Sequence, residues 1–359
     1  MGDIKNPKTQ FTFVDTDLVS KIWIGGGMSD AASIVGAEFA DITGGTHIDN
    51  GELDDILSAA LTSRGWSDVP GLDGVEIVSL TSESFTIAID GSGGSKDYYT
   101  FTGDAAATAI ASISGGHIDI KNSKSQVAIF DTDAVSSIWI GGGKSDARNL
   151  VGEEFAEITG GSRIHDHEVE GLLAAATSGS SWTNPDAHGL GGVELLTLTD
   201  DEFTLTIDAA GPTRDTIIFK GADAADAIVS VADEHIDIKN NKTQVGYFDV
   251  TRADSTFFLG GGASDKSIVS DEFNDLVAGS QLNKSEVLSI FEAITSGGSW
   301  GNPGSNGLDR VELVGMDNDS FTIALDTGGP AVDYIIFDNV HTLDGATAYG
   351  FAADDLAIV

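Results

Sequence analysis

Phe85-Thr86-Ile87-Ala88-Ile89-Asp90 returns as Phe203-Thr204-Leu205-Thr206-Ile207-Asp208 and again as Phe321-Thr322-Ile323-Ala324-Leu325-Asp326. Phe85, Phe203 and Phe321 stand 118 residues apart. Within each copy large apolar residues alternate with Thr, Ala or Asp, the period-two signature of a β-strand. A second phrase repeats with it. Ile22-Trp23-Ile24-Gly25-Gly26-Gly27 is echoed by Ile138-Trp139-Ile140-Gly141-Gly142-Gly143 and Phe257-Phe258-Leu259-Gly260-Gly261-Gly262. A period this long exceeds a solenoid unit and matches a whole small domain. The fold class read from this is α+β, as three tandem homologous domains spanning 1–118, 119–236 and 237–359. Each is expected to pack a mostly antiparallel sheet against two to three helices.

The order inside one repeat follows from local pattern. Ser29-Asp30, matched by Ser145-Asp146 and Ser264-Asp265, marks a helix start after the glycines. A second helix is predicted where Leu53, Ile56, Leu57 and Ala60 form one apolar face. Val169, Leu172, Leu173, Ala176 and Val287, Ile290, Phe291, Ile294 repeat that spacing. Asp49 with Glu52, and Asn283 with Glu286, have capping-box spacing, and Ile48 with Leu53 has that of a hydrophobic staple. Strands follow over 75–80, 85–90 and 97–101, then a short alanine-rich helix over 104–113. Asp3-Ile4-Lys5-Asn6 recurs at 119 and 237, with no Pro-rich linker at either junction, so Gly116-His117-Ile118-Asp119-Ile120 reads as continuous strand. That continuity predicts a stiff rod or tile.

Composition narrows the function. The chain carries 57 acidic against 18 basic side chains, a formal net charge of −39. Phosphate recognition needs clustered Lys and Arg, so nucleic acid is not an expected partner, nor is an anionic membrane surface. No apolar run reaches the roughly 18 residues of a membrane span, so no membrane insertion is expected. The chain has no cysteine, which rules out disulfides and thiolate metal sites. Such a charge repels itself and is relieved by salt or bound cations, which suits a saline or calcium-rich exterior. Asp354-Asp355-Leu356-Ala357-Ile358-Val359 places acids before a short apolar tail. This tail resembles the uncleaved C-terminal signals of type I secreted proteins. The resemblance implies secretion to the cell surface or beyond, although the glycine-rich calcium nonapeptides common in that group are absent.

Candidate chemistry is sparse. The glycine run lies where a phosphate loop would sit, but it lacks the Walker lysine, and Asp30, Asp146 or Asp265 follows it directly. Asp41 to Glu52, Glu157 to Glu168 and Asp275 to Glu286 have the frame of an EF-hand loop. They resemble one loosely: positions three and five lack paired oxygen ligands, and the glycine of position six is missing. If Ca2+ binds there, Asp41, Glu52, Glu157, Glu168, Asp275 and Glu286 are its candidate ligands, against the plain reading of capped helix–turn–helix loops. Asp15 with Asp17 and Asp131 with Asp133 are a second place for a hard cation, or simply turn residues. His165-Asp166-His167-Glu168 is the densest group of transition-metal ligands, and its two histidines would diverge on a helix. Trp66, Trp182 and Trp300 sit in glycine-rich loops, where an exposed ring would stack on a glycan or a neighbouring subunit. Trp23 and Trp139, inside strands, are expected in the core. No nucleophile elbow or zinc-protease motif occurs, so no catalytic residue is assigned and the chain is expected not to be an enzyme. The expectation is a self-assembling extracellular structural protein, forming a surface layer, sheath or filament through cation-promoted contacts with its own copies. The alternative is a soluble calcium- or glycan-binding module used in triplicate. A virion tail or decoration protein is a variant of the first reading.

Overall fold

The computed structural model describes residues 11–23, 43–62 (46 apart), 75–91, 95–115, 117–119, 126–141, 159, 162–178, 193–208, 214–232, 244–252, 256–258, 281–296, 311–326 (318 apart), 332–349 and 351. The helix expected after Ser29 and its two echoes lie outside these residues.

The first repeat supplies β1 (Phe11–Asp15), β2 (Lys21–Trp23), β3 (His47–Asp49), α1 (Leu53–Thr62), β4 (Val75–Leu80), β5 (Phe85–Gly91), β6 (Ser95–Thr102) and α2 (Asp104–Ile113). The second supplies β7 (His117–Asp119), β8 (Val127–Asp131), β9 (Ser137–Gly141), β10 (Arg163–His165), α3 (Val169–Ser178), β11 (Val193–Leu198), β12 (Phe203–Asp208), β13 (Arg214–Lys220) and α4 (Ala222–Val231). The third supplies β14 (Val245–Asp249), β15 (Thr256–Phe258), β16 (Gln281–Asn283), α5 (Val287–Ser296), β17 (Val311–Met316), β18 (Phe321–Asp326) and β19 (Val332–Asp338). Two 3-10 turns, Val340–Thr342 and Ala346–Tyr349, stand where the first two repeats have α2 and α4.

The chain is thus α+β, with three four-stranded sheets of one topology: β1-β6-β5-β4, β8-β13-β12-β11 and β14-β19-β18-β17. In each, two pairings are antiparallel and the outermost is parallel, so the sheets are mixed at one edge. The junction strand does form. β7 pairs in parallel with β9 and so belongs to the small sheet of the second repeat. Helices begin as the staple predicts: Ile48 and Leu53, Ile164 and Val169, and Leu282 and Val287 are all buried.

The repeats do not stand in a row. Strands β4, β11 and β17 touch one another pairwise and close a triangle. The reason lies in the backs of the sheets. Phe203, Leu205 and Ile207 point into the core of their own repeat, and so do Ile217 and Phe219. Ile218, on the opposite face, is fully buried in the cluster of the first repeat together with Val127. Tyr334 and Ile336 of the third sheet pack in the same way into the cluster of the second. Phe13 of the first sheet packs against the cluster of the third, its ring 6.5 Å from that of Phe351. Correspondingly α3 lies against β19 and α5 against β6. Each sheet is covered on one face by its own helix and on the other by the preceding repeat. Full burial of an Ile is worth about 1.5–3 kcal/mol, so an open row would leave several such side chains in water.

Polar contacts at the centre follow the same rule. The Thr204 hydroxyl donates to the Leu80 carbonyl at 2.5 Å, and Thr322 donates to the Leu198 carbonyl at 2.5 Å. The Leu80 amide donates to the Thr197 hydroxyl at 2.8 Å. A β-bulge recurs before this point in all three sheets, between Ile77 and Ser79, Leu195 and Thr197, and Leu313 and Gly315. A bulge re-aims a side chain. Leu196 accordingly packs on the first cluster and Val314 on the second. Gly315 replaces Thr197 because a Cβ there would lie 2.5 Å from the Leu198 carbonyl oxygen.

Gly315→Ala is expected to destabilise the chain by about 1–3 kcal/mol, since backbone and not a flexible side chain must move. Thr322→Val, which removes the hydroxyl reaching Leu198, costs about 1 kcal/mol. Urea unfolding reads both as a lower midpoint at unchanged slope.

Candidate functional site: an acidic cavity where the sheets meet

The turns after β4, β11 and β17 converge at one end of the triangle. They are Thr81-Ser82-Glu83-Ser84, Thr199-Asp200-Asp201-Glu202 and the turn holding Asp317, Asp319 and Ser320. With the turns after β1 and β8 they surround a cavity of about 860 Å³. Among the described residues lining it, ten are acidic and one, Lys220, is basic.

Each turn is built by its own side chains. Thr81 accepts from the Ser84 amide at 2.9 Å, and Thr199 from that of Glu202 at 3.1 Å. The Asp317 carboxylate accepts from the Asp319 and Ser320 amides at 2.8 and 2.6 Å and from the Ser320 hydroxyl at 2.8 Å. Asp15 and Asp17, proposed above as cation ligands or turn residues, are turn residues with a second duty. Asp15 Oδ1 accepts from the Asp17 amide at 2.9 Å, while Asp17 Oδ1 accepts from the Asp104 amide at the start of α2, also at 2.9 Å. Asp131 and Asp133 do the same for α4. Gly103 and Gly221 hold φ near +90° beneath them, and a Cβ at Gly221 would meet the Thr132 hydroxyl at 2.6 Å. Asp17 and Asp133 therefore face the cavity as helix caps, on turns that Asp15 and Asp131 close.

Two of the three contacts around the cavity differ in charge. Between the first and second sheets the Ser82 amide and hydroxyl donate to Glu202 at 2.7 and 2.5 Å, and Lys220 Nζ donates to Ser82 Oγ at 3.2 Å. Burial raises the Glu202 carboxyl, and the Ser82 hydrogen bonds and Lys220 hold the rise back. Between the second and third sheets Asp200 faces Asp317 and Asp338. Burial, then the charges of Asp201, Asp317 and Asp338, push Asp200 up to about 7. Burial pushes Asp317 up to about 6 against the pull of its amide donors. Asp338 is also raised, first by burial, and accepts a short hydrogen bond from the Tyr247 hydroxyl. Burial and that bond drive the phenol upward as well.

The positions singled out from sequence fall elsewhere. Glu52, Glu168 and Glu286 each spend a carboxylate oxygen on a helix start, accepting from the amides of Asp49, His165 and Asn283 at 2.7, 2.8 and 2.8 Å. Asp41, Glu157 and Asp275 lie outside the described residues, as do Trp66, Trp182 and Trp300. The rings of His165 and His167 do not diverge. They stack at 5.5 Å, because His165 still belongs to β10 when the 3-10 turn carrying His167 begins. Among the described residues no group of three or more His, Asp or Glu is set to hold a metal ion. Trp139 is not core: it is 41% exposed, with the Arg163 guanidinium 5.6 Å from its ring centre. Sequence reasoning missed the buried acids Asp97, Asp215 and Asp333, which recur at the 118-residue period. Asp215 accepts from the Gln126 amide at 3.0 Å and Asp333 from that of Gln244 at 2.9 Å, pinning the strand that enters beside them. The period alone was the available signal. No family model, curated protein or solved structure matches the chain.

Lys220→Met removes the one base among the described lining residues. It is expected to cost about 1 kcal/mol at pH 8 and less at pH 5, where Glu202 is more nearly protonated. Thermal melts at the two pH values read the difference.

Proposed function

We propose that the chain is a non-enzymatic, secreted structural subunit, made of three homologous domains over 1–118, 119–236 and 237–359, that assembles with its own copies when cations screen its charge. The observation that carries this reading is the closed triangle of repeats. Heterologous contacts between copies that do not close propagate into open assemblies. Such an assembly is a surface layer, sheath or filament. Val19 and Val135, equivalent positions in the first two repeats, are 38% and 47% exposed, and Trp139 adds an aromatic face. A surface of net charge −39 keeps copies apart in dilute buffer and lets them meet in calcium or high salt, where the screening length falls below about 10 Å.

Negative-stain microscopy and sedimentation of the purified protein test this directly. Ordered assemblies are expected with calcium or molar salt and should dissolve on chelation or desalting. A monomer under all these conditions overturns the reading. A calcium titration with three similar binding events and no assembly would instead favour the binding module.

A further inference from the structure

We propose that the contact between the second and third sheets is a proton-operated latch, shut while the Asp200 carboxyl carries a proton and loosened when it ionises beside Asp317 and Asp338. Equivalent places at the two contacts lie 118 residues apart. Where the first contact has Ser82, Glu202 and Lys220, the second has Asp200, Ser320 and Asp338, and Asp317 stands where the first has Thr199. One contact is thus closed by a serine, a glutamate and a lysine, joined by hydrogen bonds. The other brings three carboxyl groups together.

Among the described residues, the charged groups set against Asp200 are all acids. From its own turn Asp200 faces Asp201, and across the contact it faces Asp317, Asp338 and the Tyr247 hydroxyl. Behind these stand two more acids, Asp319 and Asp249. The nearest ionisable base in that group, His341, is hydrogen-bonded to Asp319. The Tyr247 hydroxyl already donates its one hydrogen bond to Asp338, and Asp338 is only 7% exposed.

Nor can the carboxyl groups drift apart cheaply. This is the contact at which Gly315 lets the backbone approach Leu198 and at which Thr322 bonds the Leu198 carbonyl. Separating Asp200 from Asp317 means separating those strands. Burial and the neighbouring acids raise Asp200 to about 7 and Asp317 to about 6 in the folded chain. A carboxyl raised on folding contributes stability that is intact below the ordinary carboxylate range and lost as pH climbs through the raised value. The latch is therefore shut in mildly acidic medium and strained above neutrality.

Amide hydrogen exchange at pH 5.5 and 8.5, corrected for intrinsic rates, tests this on the whole chain. Protection in β17 is expected to fall at least about tenfold more than in β4 as pH rises, since each unit of raised pKa is a decade in the opening equilibrium. Asp200→Asn should abolish that excess. Glu83→Gln, which removes an exposed charge from the same cavity on the turn of the first sheet, should keep it. Asp200→Ser copies Ser82 and serves if the asparagine variant folds poorly. Uniform loss across all three sheets, or an unchanged excess in the Asp200 variants, would assign the effect to general self-repulsion and overturn the proposal.

Discussion

A β-sheet with two apolar faces must be covered twice, and that requirement organises this molecule. Ile217 and Phe219 need one cover and Ile218 another; Ile335 and Phe337 need one and Ile336 another. One helix-bearing face per repeat provides only half of what is needed. The second cover comes from the preceding repeat, and when three repeats each lend one, the series closes on itself through Phe13 and Phe351. Hydrogen bonds from Thr204 and Thr322 to the neighbouring strand then fix the register of sheet against sheet. They are modest individually, but a buried carbonyl at that point has few other partners.

Closure also creates the acidic cavity. Turns that would be scattered along a row are gathered at one end. Aspartates placed there for local reasons, as Asx turns and remote helix caps, become neighbours. The three contacts then diverge in chemistry while keeping one backbone plan. Lys220 and Glu202 make one of them a paired, hydrogen-bonded contact, and Asp200, Asp317 and Asp338 make another a crowd of carboxyl groups raised by burial and by one another. Differences of this kind between equivalent positions are where a repeated architecture takes on a property that its repeat does not have.

Much of the local structure was legible in the residues. The period of 118, the strand Phe85–Asp90, the helix face of Leu53, Ile56, Leu57 and Ala60, and the helix over 104–113 all follow from alternation, helical spacing and caps. The arrangement of the repeats is not legible in the alternating strand β5, whose pattern does not say what covers its second face. The informative runs were Thr216-Ile217-Ile218-Phe219 and Tyr334-Ile335-Ile336-Phe337, which alternate nothing and so mark strands buried on both faces. Trp139 was misplaced because a strand turns only alternate residues to the core: Ile138 and Ile140 of β9 are buried, and Trp139 between them faces the other way. The acidic cavity could not be read at all: in a chain with 57 acidic residues, no spacing distinguishes carboxylates that converge from those that do not.

Small-angle X-ray scattering of the monomer, at low protein concentration and moderate salt, tests the closure most directly. Three repeats covering one another's sheets should give a radius of gyration of about 21 Å, the value for one compact body of this length, whereas three such bodies in a row would give roughly 30 Å or more. A value near the first, with a compact distance distribution, is the expected result. An elongated distribution with the larger radius would contradict the account.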